Sequence, residues 1–299
     1  MNAMDLRSVF MGLAFALMWA SAFTSARMIV QDAPPLSALA LRFLVSGLIG
    51  IGIARALGQS WRLTPTQWRA TIIFGLCQNA LYLGLNFVAM QTVEASLASI
   101  IASTMPLLVA AVGWLILRHR LRPLAIAGLL TGFVGVSVIM GARLGAGGVD
   151  PFGLILCVLG VGALTLATLS VRGASAGGAN LLMIVGLQMM VGAVLLAGPA
   201  LMLEEFTVNW TLQLGLAFLY TTLVPGLAAT WVWFLLVGRI GAVRAATYHF
   251  LTPFFGVAVA AVLLREGLGI YDVIGVGIVM LGILAVQLSK AKPPPPPQV

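Results

Sequence analysis

The sequence predicts an all-α integral membrane protein, with ten transmembrane helices arranged as a 5+5 inverted-topology repeat. Three observations carry this. The 299 residues are 61% hydrophobic and 8% charged, with a mean hydropathy of +1.09. A soluble domain carries about 25% charged residues, so this chain must be solvated by lipid. Second, apolar segments of roughly 18 to 27 residues recur along the whole chain, each near the ~20 a helix needs to cross the hydrocarbon. Third, the chain matches itself after a shift of 147 positions.

The spans fall at about 8–30, 36–57, 69–91, 95–117, 123–142, 152–171, 180–203, 212–238, 242–264 and 271–288. In lipid only helices and closed barrels satisfy their backbone, and the ~10-residue alternating segments of a barrel are absent. The first span resembles a signal peptide, with Arg7 before an apolar run and "WASAFTSA" after it. The repeat count requires it to stay. Cys77 and Cys157 lie inside apolar runs without a CxxC, so a disulfide, zinc site or other metal is not expected.

Charge orients the bundle. On the side holding both termini lie Arg7, Arg55, Arg62, Arg69, Arg118, Arg120, Arg122, Arg172, Arg239, Arg244, Lys290 and Lys292, with Asp5 the one acid. Opposite lie Asp32, Glu94, Asp150, Glu204, Glu205, Glu266 and Asp272. Basic loops stay inside, so both termini are expected in the cytoplasm of a cell whose inner membrane the chain spans. The net charge of +8 is loop charge of this kind, and no nucleic-acid partner is expected.

The repeat is clearest in two stretches. "IASTMPLLVAAVGWLILRHRL" starts at Ile101 and "HFLTPFFGVAVAAVLLREGL" at His249. The shift places Pro106 on Pro253, Arg118 on Arg265, Gly128 on Gly275 and Gly135 on Gly282. Residues 1–147 and 148–290 then form the two halves, and 291–299 a proline-rich cytoplasmic tail. Five spans per half turn the second copy upside down, as in many secondary transporters. The repeat supplies an internal two-fold partner, so a monomer is expected.

Pro106 and Pro253 sit at the centres of spans 95–117 and 242–264. Each removes a helical hydrogen bond and frees the carbonyl four residues earlier, those of Ala102 and His249. Matched kinks follow, acting either as hinges or as static bends.

Polar residues inside the spans are the candidate substrate contacts. Asn79, Tyr82 and Asn86 form one helical stripe flanked by Gln78. Such a stripe lines a cavity or bonds neighbouring helices. Ser99 and Ser103 precede Pro106; Tyr248, His249 and Thr252 precede Pro253. His249 would bind a carboxylate, carry a proton, or stay neutral in the packing. Trp19, Trp231 and Trp233 would wall an apolar pocket or anchor helices. Arg42 is a formal charge well inside a span; it would hold a carboxylate, snorkel, or pair with Asp32 or Glu94.

The chain resembles the EamA family of the drug/metabolite transporter superfamily. The residues that carry this are "WASAFTSAR", "LALRFLVSG", "EASLASIIASTMPLLVAAVGWLILRHRL" and "YHFLTPFFGVAVAAVLLREGL". It looks most similar to the YddG-type amino-acid exporters. The resemblance implies a central cavity, alternating access and export of small neutral amino acids such as aromatic ones, methionine and threonine. Drugs or other metabolites are the alternative cargo. No Asp or Glu lies near the middle of a span. Proton antiport would therefore rest on His249 or Glu94, and facilitated export is simpler. No HExxH or phosphate-cradling glycine motif is present, so neither an enzyme nor an ATP drive is expected, and no cofactor. A channel would require a polar path and oligomeric symmetry.

Overall fold

The computed structural model describes residues 6–116, 118, 121–145, 147, 149–170, 180–240, 245 and 247–290. The tail 291–299 and Arg120, Arg172, Arg244 and Lys292 lie outside the described residues, as does the start of the ninth expected span.

Ten apolar helical segments follow one another: α1 (Leu6–Asp32), α2 (Pro35–Ala56), α3 (Pro65–Ala89), α4 (Ala95–Leu115), α5 (Pro123–Gly145), α6 (Pro151–Ser170), α7 (Leu181–Leu203), α8 (Leu212–Ile240), α9 (Tyr248–Leu264) and α10 (Ile270–Lys290). Among the described residues, nine are long and apolar enough to cross a membrane, and α9 is shorter. Proline or an acceptor side chain begins several of them. Thr64 and Gln67 form a reciprocal capping box before α3, with Pro65 at its first turn.

The helices pack in antiparallel pairs: α2 with α7, α4 with α9, α5 with α10. Polar contacts at the helix ends establish the direction. Glu204, just past α7, accepts from the backbone N–H of Leu36 at 2.6 Å and Ser37 at 2.8 Å at the start of α2. Glu266, just past α9, does the same for Ala95 at 2.8 Å and Ser96 at 2.9 Å at the start of α4. A carboxylate there meets unsatisfied donors and the positive helix end, worth about 1 kcal/mol each. Arg143 at the end of α5 donates to Asp272 of α10 at 2.8 Å and to Glu94 at 2.5 Å. The expected acids thus share one end of the bundle. Asp150 is there too, accepting from the Thr92 hydroxyl at 2.6 Å. That bond, with the Gly153 and Phe152 N–H groups, holds its carboxyl below the ordinary value.

Between α5 and α10 the backbones touch. Gly128 meets Gly282, and Gly135 meets Gly275; a methyl group on Gly282 would lie 2.5 Å from the Gly132 nitrogen and 2.7 Å from the Gly128 carbonyl oxygen. Without a hydrophobic effect between helices in lipid, such close approach is what holds them together.

The helical ladder is interrupted just ahead of both prolines. The fourth segment breaks at Thr104, between Ala95–Ser103 and Met105–Leu115. The ninth opens with a tight 3₁₀ turn, Tyr248–Leu251, before the α-helix resumes at Thr252. The His249 carbonyl is not left free. The tighter turn hands it the Thr252 N–H, which is why the break needs no cavity to satisfy it.

Candidate functional site

A cavity of about 90 Å³ lies between α1, α2, α3, α7 and α8. That is room for several water molecules. Both halves line it. From the first come Trp19, Phe23, Arg42, Phe43, Gln78, Asn79, Tyr82 and Asn86; from the second, Met189, Thr221, Pro225, Gly226 and Thr230. The apolar and aromatic walls with few polar groups are the usual make-up of a small-molecule site.

Two irregular helical segments build the polar part. Gly75–Leu83 in α3 and Thr222–Ala228 in α8 are wound as π-helix, with wider i→i+5 turns. The first carries Gln78, Asn79 and Tyr82 to the cavity; the second carries Pro225 and Gly226. Pro225 supplies no N–H and so disrupts the α ladder in α8. Asn79 donates to the Gln188 carbonyl at 2.8 Å, and Asn86 to the Tyr82 carbonyl at 2.9 Å. Each amide therefore keeps its oxygen side for another partner.

Arg42 is buried, at 6% exposure. It neither snorkels nor pairs with an acid. Asp32 is engaged by Asn209 and Thr211, and Glu94 by Arg143. Arg42 instead turns into the bundle and donates to the Thr221 carbonyl at 3.3 Å.

The structure does not bring the remaining expected residues to this cavity. Ser99 donates to the Ser96 carbonyl at 2.8 Å and Ser103 to that of Ile100 at 2.6 Å. Their hydroxyls are spent on their own helix, and Ser99 packs against Gly256 of the ninth segment. Tyr248 covers Gly12 of α1, and Thr252 is buried at the start of its helix. His249 lies among aromatic rings: Phe15 at 5.2 Å, Trp233 at 5.4 Å and Trp19 at 6.1 Å. Trp233 therefore packs in that cluster, and Trp231 is 58% exposed on the bundle's outside. Only Trp19 among the three tryptophans touches both the cluster and the cavity.

Sequence reasoning missed Pro225, Gly226, Thr221 and Thr230. A signal was present: Pro225 stands at the centre of the expected span 212–238, as Pro106 and Pro253 do in theirs. It has no counterpart at the 147-residue shift, where Gln78 stands, so the repeat does not point to it.

Residues 6–141 and 151–288 each match the EamA-like transporter family, so the chain belongs to that family. It is 28% identical over 284 residues to the uncharacterized transporter YvbV of Bacillus subtilis (strain 168), covering 94% of this chain and 92% of that one. It is 32% identical over 142 residues to the aromatic amino acid exporter YddG of Ancylobacter novellus, about half of each chain (47% and 48%). A solved crystal structure superposes with a TM-score of 0.68 at 20% identity, over 94% of this chain and 98% of the other. That likeness concerns the fold.

Proposed function

We propose that this chain is a secondary transporter that exports small neutral amino acids or related metabolites across the bacterial inner membrane, with both termini cytoplasmic. The observation that carries the reading is the cavity between the two halves. Its walls are largely aromatic and apolar, and its polar groups are mostly uncharged. The partial likeness to an aromatic amino acid exporter is consistent with it.

The halves are 1–147 and 148–290, related by inverted topology, and they alternate access to the cavity. Reciprocal contacts support this. Gly128 and Gly275 are equivalent in the repeat, as are Gly135 and Gly282; yet Gly128 meets Gly282 and Gly135 meets Gly275. A crossed exchange of this kind is the mark of a two-fold relation. Pro106 and Pro253 are the matched hinges in this scheme. Glu94 is held by Arg143, and His249 is ringed by aromatics, so neither is placed for obligatory proton coupling. Export is facilitated, driven by the cargo's own gradient.

Proteoliposomes preloaded with labelled methionine, threonine or phenylalanine test this, with and without a pH gradient. Saturable efflux of at least one, independent of the gradient, is expected. Absence of efflux for all three rejects the amino-acid cargo, and efflux that requires the gradient rejects the facilitated mode.

A further inference from the structure

We infer that Arg42 and Ser46 form a carboxylate-binding subsite at the α2–α8 contact, which anchors the acid group of the cargo; this rests on reading the cavity as the transport site. The two residues stand one helical turn apart on α2, so they share a face. Both are buried, Arg42 at 6% and Ser46 at 1% exposure. Among the described residues, Arg42 Nε and Ser46 Oγ are buried without a hydrogen-bond partner. Two unspent donors on one face of one helix, with Arg42 itself in the cavity lining, point to a ligand.

The cation is under-compensated. A guanidinium has five N–H donors. The described hydrogen bond is the one from Nη1 to the Thr221 carbonyl, and 3.3 Å is long for a charged donor. The described ion pairs belong to Arg143, not to Arg42. The Phe43 ring lies 4.7 Å from the guanidinium carbon and supplies a π face, but no acceptor. A buried charge with so few acceptors is costly in an apolar bundle and gains most from an arriving anion.

The opposite wall fits the purpose. The Thr221 carbonyl is the one that Pro225, lacking an N–H, does not serve in the α register. It gives Arg42 a weak resting contact that a carboxylate would outcompete. Gly226 has no side chain where Ser46 stands; a methyl group there would lie 3.6 Å from Ser46 Oγ. The planar fork of arginine matches both oxygens of one carboxylate, and the serine hydroxyl adds a third donor. A phosphate ester would bring more charge than one cation balances, and Arg42 is the charged residue among the described cavity lining.

The test uses the purified full chain in detergent. Thermal stabilisation is titrated with phenylalanine, phenylalaninamide and phenylacetate, for wild type, Arg42→Gln, Arg42→Lys and Ser46→Ala. Wild type is expected to bind phenylalanine about 10- to 100-fold more tightly than its amide, the range for losing hydrogen bonds to a charged group. Arg42→Gln should erase that difference, Arg42→Lys restore it in part, and Ser46→Ala weaken phenylalanine several-fold. Equal stabilisation by the acid and the amide overturns the subsite while leaving the amino-acid reading intact. Stabilisation by phenylacetate without phenylalanine supports the subsite and overturns the amino-acid cargo. No stabilisation of wild type by any of the three overturns the subsite, whatever the efflux assay reports. If Arg42→Gln does not fold, the acid–amide comparison in wild type decides alone.

Discussion

The α5–α10 seam and the π-wound segments of α3 and α8 each draw on both halves of the chain, yet they do opposite work. At the seam, Gly128, Gly135, Gly275 and Gly282 remove side chains so that two backbones touch. At these glycines the contact is one of shape, backbone against backbone. In Gly75–Leu83 and Thr222–Ala228 the regular ladder widens; Gln78, Asn79 and Tyr82 of the first and Pro225 and Gly226 of the second line a cavity. The seam locks; the wide turns leave acceptors and donors to spend. Small residues in a membrane helix therefore carry two meanings. Where a neighbouring backbone fills the space they lock two helices; Gly226 instead stands in the lining of a cavity.

The sharpest way to break that contrast is to fill the seam. Gly282→Val places a branched side chain against the backbone of Gly128 and Gly132, neither of which can move alone. The expected cost is about 3 kcal/mol or more. It would be read as loss of the monodisperse folded fraction and a lower Tm; an unchanged Tm would mean the seam is not locked. Next comes the tie at the seam's end. Arg143→Gln leaves the Asp272 carboxylate, with its side chain 7% exposed, facing no cation. Glu94 is 43% exposed and remains hydrated, so the loss falls mainly on Asp272, at about 2–3 kcal/mol. Asp272→Asn added to it should recover part of the Tm.

The wide turn predicts the reverse pattern. Pro225→Ala restores an N–H to α8 and draws it toward the α register. Efflux should fall by about threefold or more while the Tm holds within the small range of a surface change. Loss of Tm with unchanged efflux would make this segment structural, like the seam. The smallest effect concerns the two ends that the repeat shares. Arg118 and Arg265 both adopt left-handed backbone, with φ of 53° and 55°. A non-glycine residue there is strained, so Arg265→Gly should raise stability by up to about 1 kcal/mol, visible as a slight rise in Tm. A fall would mean that the arginine side chain contributes more than its backbone costs.

Much of the fold was legible because the bilayer imposes it. The stripe Asn79, Tyr82 and Asn86 was readable as well, since polar groups in lipid must turn inward, and all three line the cavity. Ser99 and Ser103 carried the same signal and do something else. A hydroxyl can return its proton to its own helix three or four residues back, whereas an asparagine amide has a donor and an acceptor and cannot spend both there. Arg42 was legible as costly, but its direction was not. Two acids stood near enough in the chain to claim it, and only folding sent one to Asn209 and Thr211 and the other to Arg143.

By itself, the sequence determined the lipid solvent, the number and order of the spans, the grouping of acids at one end and the internal repeat. Each follows from hydrocarbon thickness, the cost of burying charge, or plain self-similarity. The tertiary structure alone decided which helices touch, where α3 and α8 widen, and which polar groups reach the cavity. The physical reason is that lipid and protein core are equally apolar. The outward and inward faces of these helices carry the same kinds of residue, so hydrophobic periodicity does not tell them apart. What separates them is fit at close range, a backbone against a glycine or a carbonyl missing its donor, and that exists only once the helices have met.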